Sequence, residues 1–224
     1  MNRRDFVVAG LARVIGLLES SRMAVQTKAI APDLGALADA KRLTHVNRAV
    51  TALVDGAKRG VRLSAAPGEG SAILPGIELV NGTIELDIRG KDVAQQSFVG
   101  VAFHVVDGTT YDSIYFRPFN FKAADPVSRG HGVQYVSQPT YTWQKLRTEQ
   151  PGRFEQAVNP VPDPNGWFHA RVVVASPKVS VLIADAKDPC LVVNLLNERR
   201  AGQVGLWVGN NSGGDFANLT ITPA

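Results

Sequence analysis

Residues 98–118, FVGVAFHVVDGTTYDSIYFRP, decide the fold. Apolar side chains recur at every second position on each arm: Val99, Val101, Phe103 and Val105, then Ile114 and Phe116. A period of two belongs to a strand, not a helix. Asp107-Gly108 between the arms is a turn signal. Parity then places Phe98, Gly100, Ala102 and His104 on the face opposite the apolar set, and does the same for Ser113, Tyr115 and Arg117.

The same grammar extends outward from Gly60. Short alternating runs include GVRLSAA, SAILPGIEL, GTIELDIRG, GVQYVS, WFHARVVVAS, KVSVLIAD, CLVVNLL, GQVGLWVGN and GDFANLTITP. Turn pairs such as Asn81-Gly82, Asn165-Gly166 and Ser212-Gly213 punctuate them. So many short strands with almost no helix between them predict an all-β, antiparallel two-sheet jelly-roll sandwich over residues 60–222. No fixed-period repeat is present. One long irregular segment, about 121–165, is rich in Pro, Gln and aromatics; a loop of that length is usually functional or disordered. Before Gly60 the reading is helix or loop. LGALADAKRLTHVNRAVTALVDG (34–56) leaves a short helix and an opening strand RAVTALV both open. The expected organisation is residues 1–31 as an export signal or N-terminal helix, then a sandwich domain over 32–224.

Bulk composition narrows the function classes. The chain has 224 residues, 45% hydrophobic and 20% charged, enough for one sizeable core. Net charge is +4, but the basic residues are scattered among acids, which argues against a nucleic-acid stripe. No run of 18 apolar residues exists, so no membrane span is expected. Cys190 is the single cysteine, so no intramolecular disulfide can form, and its apolar flanks read as core packing. His45 and His169 have no metal-ligand spacing, and no cofactor is expected. DGTTYD (107–112) and NPVPDPNG (159–166) could offer oxygens to calcium, although neither matches an EF-hand.

Candidate chemistry comes from strand faces. In GTIELDIRG, Ile84, Leu86 and Ile88 share the core face, so Glu85, Asp87 and Arg89 share the other. If these strands are neighbours, one surface collects Glu85, Asp87, Arg89, His104, Tyr115, Arg117 and Gln134. Gly100 and Ala102 would leave a hollow there, and Trp143 of the long segment would supply an aromatic platform; Trp167 and Trp207 read as strand residues. Carboxylates, guanidinium groups, amides and aromatic rings are what a carbohydrate ligand requires. The plainer reading stays open beside it: Glu85, Asp87 and Arg89 as solvent-face residues in cross-strand ion pairs, and His104 as a structural residue.

The order GTIELDIRG, FVGVAFHVVDGTTYDSIYFRP, VQYVS, WFHARVVVASPKVSVLIAD, GQVGLWVG and DFANLTI resembles the concanavalin A-like lectin/glucanase superfamily. Within it the chain looks nearest to bacterial laminin G-like and 3-keto-disaccharide hydrolase domains. The resemblance implies a carbohydrate-binding jelly roll, with glycoside hydrolase-like activity on a sugar or modified sugar as one option. A non-catalytic laminin G-like adhesive module, binding protein or cell-wall polymer, is the alternative. Against the Glu-x-Asp-x-Glu strand of family 16 glycoside hydrolases, Glu85 matches the nucleophile, Asp87 the assisting carboxylate, and Arg89 stands where the acid/base would be. Arginine stays protonated and cannot donate that proton. Arg89 is instead expected to pair with Asp87 or Glu85, leaving His104 or Glu155 as proton carriers in any other mechanism. Glu85, Asp87 and His104 are thus the catalytic candidates, and Arg89, Tyr115, Arg117, Gln134 and Trp143 the ligand-binding ones.

The first residues resemble a twin-arginine export signal: Arg3 and Arg4 precede Phe6 and an apolar run. That implies a periplasmic or extracellular protein; without a signal in residues 1–31 the chain is expected in the cytoplasm. Replacing both arginines (Arg3→Lys with Arg4→Lys) is expected to trap the protein inside the cell, as read by fractionation; equal export of parent and variant would refute the signal.

Overall fold

The computed structural model describes residues 28–224; the paired arginines and the apolar run after them lie outside the described residues. Among the described residues, fourteen strands form two sheets of seven. In chain order they are β1 (Thr44–Val46), β2 (Val50–Asp55), β3 (Lys58–Leu63), β4 (Gly70–Leu79), β5 (Gly82–Arg89), β6 (Val99–Val105) and β7 (Tyr111–Phe116). Then come β8 (Val133–Gln138), β9 (Glu155–Gln156), β10 (Phe168–Ala175), β11 (Lys178–Ile183), β12 (Leu191–Asn194), β13 (Gly202–Val208) and β14 (Gly214–Pro223). The first sheet runs β1-β4-β13-β6-β7-β8-β9, the second β12-β11-β10-β5-β14-β3-β2. The architecture is the all-β, antiparallel jelly-roll sandwich expected from the alternating runs.

The sheets begin at Thr44, earlier than Gly60, because both readings of residues 34–56 hold at different places. A short helix, α1 (Leu34–Asp39), starts where the Asp33 carboxylate accepts from the Ala36 amide at 2.9 Å. The strand reading holds from Val50, where β-branched residues begin. Three further short helices, α2 (Pro118–Phe121), α3 (Pro126–Arg129) and α4 (Trp143–Glu149), lie in or at the edge of the long irregular segment. Ile30 exchanges two 2.8 Å backbone hydrogen bonds with Ile221, tying the start of the described chain to β14.

The core fills the space between the sheets, where alternate residues of each strand are removed from water. Ile84, Leu86 and Ile88 of β5, Val99, Val101 and Phe103 of β6, and Ile114 and Phe116 of β7 are all fully buried. Phe116 of the first sheet meets Phe168 of the second edge-to-face at 5.1 Å.

Among the site candidates on β6 and β7, parity fails at His104. Ala102 lies opposite Gly205 but Val105 opposite Gln203, so β6 carries an extra residue there, a β-bulge. His104 adopts φ +49° at this bulge. Gly202 passes so close that a Cβ on it would lie 2.4 Å from the His104 carbonyl carbon. His104 is therefore not on the outer face with Tyr115 but fully buried, its Nε2 3.0 Å from the Val80 carbonyl. Its Nδ1 faces Asp112 at 3.6 Å. Asp112, in phase with Ile114 and Phe116, points inward too, and accepts from Tyr135 Oη at 2.6 Å, Asn197 Nδ2 at 2.8 Å and Arg199 Nη2 at 3.3 Å. Burial alone would raise the Asp112 carboxyl, yet His104, Tyr135, Arg199 and Ser137 outweigh it and hold the group below its usual range.

A carboxyl depressed in the folded state contributes stability that is full above its unfolded value of about 3.9 and disappears as pH falls through the lower folded value. The melting temperature should therefore fall as pH drops below about 4. Asp112→Asn should cost about 3 kcal/mol at neutral pH and flatten that acid limb. Thermal melts across pH 2–7 check both, and an acid limb of unchanged slope in the variant would overturn the assignment.

Candidate functional site

Direct cross-strand partners share a face, so the registers define one row across the outside of the first sheet. It runs Ser71, Trp207, Gly100, Tyr115, Gln134, Glu155 over β4, β13, β6, β7, β8 and β9. Gly100 lies between two large aromatics. A Cβ there would come within 2.1 Å of the Ile114 carbonyl oxygen. The Tyr115 and Trp207 rings meet beside it at 4.9 Å with planes 37° apart. The hollow expected at Gly100 and Ala102 is thus occupied by rings at its Gly100 end, because the strands close up on the bare backbone.

Each end of this aromatic floor has its own polar machinery. Toward Tyr111, Trp207 Nε1 donates to Tyr111 Oη at 3.0 Å, and that hydroxyl donates to Glu69. Gln138 Nε2 reaches the other Glu69 oxygen at 3.4 Å. Toward Gln134, Tyr115 Oη donates to Gln134 Oε1 at 2.8 Å. Arg117 Nη2 donates to Tyr115 Oη at 2.8 Å and to Gln134 Oε1, and its Nη1 donates to the His131 carbonyl at 2.8 Å. Burial pushes Tyr115 up to about 12, with Arg117 pulling the other way, and burial beside Glu69 raises Tyr111, so both phenols stay neutral. Burial also lowers Arg117 from the usual guanidinium value.

Behind Arg117 lies Glu155, 3% exposed. It accepts from Arg147 Nε at 2.8 Å and Nη2 at 2.5 Å, with His131 Nδ1 at 2.9 Å and Arg117 Nη1 at 3.7 Å from the same Oε2. Arg147 belongs to α4, whose Thr142 N-cap accepts from the Lys145 amide and whose Leu146 is buried. One turn along that helix, the Arg147 guanidinium stacks 5.1 Å from the Trp143 ring centroid. The result is a cavity of about 460 Å³. Tyr115, Trp207 and Phe98 line it with Arg117, Arg147, Trp143 and Glu69; Gln95, Gln138, Gln144, Asn210 and Asn211 add amides.

Of the residues expected from sequence, Tyr115, Arg117 and Trp143 line this cavity, and Gln134 supports Tyr115 and Arg117 from the same face. Arg117 is only 4% exposed, so it is a buried cation under the site rather than a wet-face residue. Glu85, Asp87 and Arg89 do not join them. Their parity is as expected, but β5 lies between β10 and β14 in the second sheet, on the other side of the core. Arg89 pairs with Asp55 at 2.6 Å and Asp215 at 2.7 Å, not with Asp87 or Glu85, because Asp215 is its direct cross-strand partner. Asp87 is held by Lys58 at 2.6 Å, His169 at 3.0 Å and Asn218 at 2.6 Å; burial works to raise it, but these partners lower it. Trp167 packs under Arg89 at 4.7 Å and donates to Asp55 at 2.9 Å. The catalytic candidates Glu85, Asp87 and His104 therefore occupy the outside of one sheet and the interior, never one site.

Among the described residues no cluster of three or more His, Cys, Asp or Glu could hold a metal ion. Of the three carboxylates in the calcium-candidate stretches, Asp112 lies in the core and two close turns: Asp107 Oδ1 accepts from Thr109 N, Thr109 Oγ1 and Thr110 N at 2.7–2.8 Å, and Asp163 Oδ1 from Asn165 N at 3.1 Å. Trp207, Glu69 and Arg147 escaped sequence reading. For Trp207 a signal existed, since it alternates with Leu206 and Val208, both fully buried. Nothing local marks Glu69 or Arg147.

No family model and no curated protein matches the chain. Solved structures do. The carbohydrate binding module CBM66 from Bacillus subtilis aligns at 16% identity and TM-score 0.56, covering 80% of this chain and 94% of that one. A Bacillus subtilis protein of unknown function with a galectin-like fold gives 12% identity and TM-score 0.55 over 86% and 94%. The exoplasmic/lumenal domain of VIP36, in its Ca2+/Man3GlcNAc-bound form, gives 11% and 0.51 over 81% and 86%. At these identities the likeness is one of fold: an antiparallel jelly-roll sandwich.

Arg117→Ala should destabilise the protein by about 1.5–3 kcal/mol, the range for losing buried hydrogen bonds to a charged group. In a chain of this size that is a fall of roughly 3–12 °C in melting temperature. A melt equal to the parent's would show that the Tyr115–Arg117–Gln134 cluster carries no load.

Proposed function

We propose that this domain binds carbohydrate in the cavity floored by Trp207 and Tyr115. The observation that carries the reading is the pairing of a strand-built aromatic floor with convergent fixed donors and acceptors. A sugar ring has an apolar face for the aromatics and a rim of hydroxyls for Arg117, Arg147, Glu69 and the amides. Trp143, 39% exposed on α4, supplies a second ring at the margin. The likeness in fold to a carbohydrate binding module and to a domain with Man3GlcNAc bound supports the same reading.

Binding is favoured over cleavage by the carboxylate inventory. Canonical glycoside hydrolysis needs two carboxyls flanking the scissile bond. Among the cavity's lining residues only Glu69 is an acid. Glu155 is engaged by Arg147 and His131 behind the floor, and His104 lies inside the core. Neither of the proton carriers expected for a 3-keto-disaccharide hydrolase, His104 or Glu155, is among the cavity's lining residues. A recessed polar cavity also fits a sugar better than the flat contact surface of a laminin G-like adhesive module. We further propose that the protein is exported, on the paired arginines at its amino terminus.

A glycan-array screen followed by calorimetry on any hit tests the binding reading, and product analysis after incubation should recover the hit intact. Trp143→Ala should weaken that hit by about 1 kcal/mol, roughly fivefold, while leaving the melting temperature near the parent's. Undiminished affinity would place the ligand elsewhere.

A further inference from the structure

Resting on that reading, we propose that the cavity selects an acidic saccharide, one whose sugar carries a carboxylate as a uronic acid does. Arg117 is 4% exposed and lines the cavity, yet every hydrogen-bond acceptor it has is neutral: the His131 carbonyl, Tyr115 Oη and Gln134 Oε1. Its nearest carboxylate, Glu155, is 3.7 Å away and already gripped through two donors of Arg147. Two guanidinium groups and the His131 ring thus face one carboxylate. A buried cation without its own counter-ion is costly, and an incoming anion would relieve that cost.

The donors needed are available. Arg147 spends Nε and Nη2 on Glu155, and Arg117 spends Nη1 and Nη2 on its neutral acceptors. Arg147 Nη1 and Arg117 Nε have no protein acceptor among the described residues, and both side chains border the cavity. The lining's own acid does not fill the role. Glu69 is held at the far end by Tyr111 and Gln138. Tyr111 stands four residues along β7 from Tyr115, about 13 Å at the usual strand rise. The cavity is therefore polarised, cationic beside Arg117 and anionic beside Glu69, with the Trp207–Tyr115 floor between. A sugar lying on that floor would place a carboxylate against the guanidinium groups and donate its hydroxyls to Glu69.

The test uses the native chain. Oligogalacturonides and oligoglucuronides of two or three residues, with carboxylates free or methyl-esterified, are titrated by calorimetry at low and high salt, beside sulfated neutral oligosaccharides of equal length. The free acids should bind at least tenfold more tightly than their esters, and salt should erode that difference. Arg147→Gln, verified as folded by thermal melt, should bring acid and ester close to equal. Tighter binding of the sulfated sugars would overturn the carboxylate assignment. Equal affinity of acids and esters, or binding of neutral array glycans alone, would overturn the acidic preference and leave carbohydrate binding standing. Silence of both the uronides and the array would overturn both.

Discussion

The site depends on one buried carboxylate. Glu155 sits on β9, the last and shortest strand of the first sheet, and is 3% exposed. A lone ionised carboxylate so placed would be prohibitively costly; partners on several elements offset the cost. Arg147 brings α4 to it, His131 brings the turn after α3, and Arg117 brings the end of β7. Segments far apart in sequence are thereby clamped around one point, and the helix that carries Trp143 is fixed as a wall of the cavity. The same clamp sets the site's electrostatics. By consuming one edge of Arg147 and little of Arg117, it organises two guanidinium groups while neutralising only one.

How much of this was legible in the sequence follows from what periodicity can and cannot encode. Alternation within β5, β6 and β7 correctly assigned Ile84, Leu86, Ile88, Val99, Val101, Phe103, Ile114 and Phe116 to the interior, because burial acts on each strand independently. It also put Tyr115, Arg117 and Gln134 on a common outer face. Which strands stand side by side is a property of the whole chain, so the same alternation could not reveal that β5 lies in the opposite sheet. Glu85, Asp87 and Arg89 were read with correct parity and the wrong neighbours. His104 failed for a different reason: one inserted residue at the β6 bulge turns it inward, and a bulge leaves no periodic trace. Trp143 stood out by composition, whereas its partner Arg147 acquires meaning only through a carboxylate on another element.

The two outer faces show why counting charged residues does not locate a site. The second sheet is the more densely charged, yet its charges are matched across strands: Lys58 with Asp87, Arg62 with Asp215, Arg89 with Asp55, and Arg171 within 3.3 Å of Glu85. Charges paired in this way gain little by meeting a ligand. The first sheet's outer face carries fewer charges, and one of them, Arg117, is enclosed, donates to neutral acceptors and lies beside the Tyr115 ring. The proposed binding draws on that residual valence.

Rigidity completes the case. Tyr115 and Trp207 project from the central strands β7 and β13 and stack where Gly100 brings the backbones together, so neither ring has far to move. Tyr111, Gln134 and Gln138 fix the polar atoms around them through hydrogen bonds that are already made. A ligand entering such a site orders few protein side chains, and less of its interaction energy is lost to entropy. On the proposed reading, the arrangement would hold a sugar without straining it: fixed donors at one end, a fixed acceptor at the other and an apolar floor between. At the end of the cavity far from Glu69, Arg117 and Arg147 stand where canonical glycoside cleavage, were it proposed, would call for a second carboxyl.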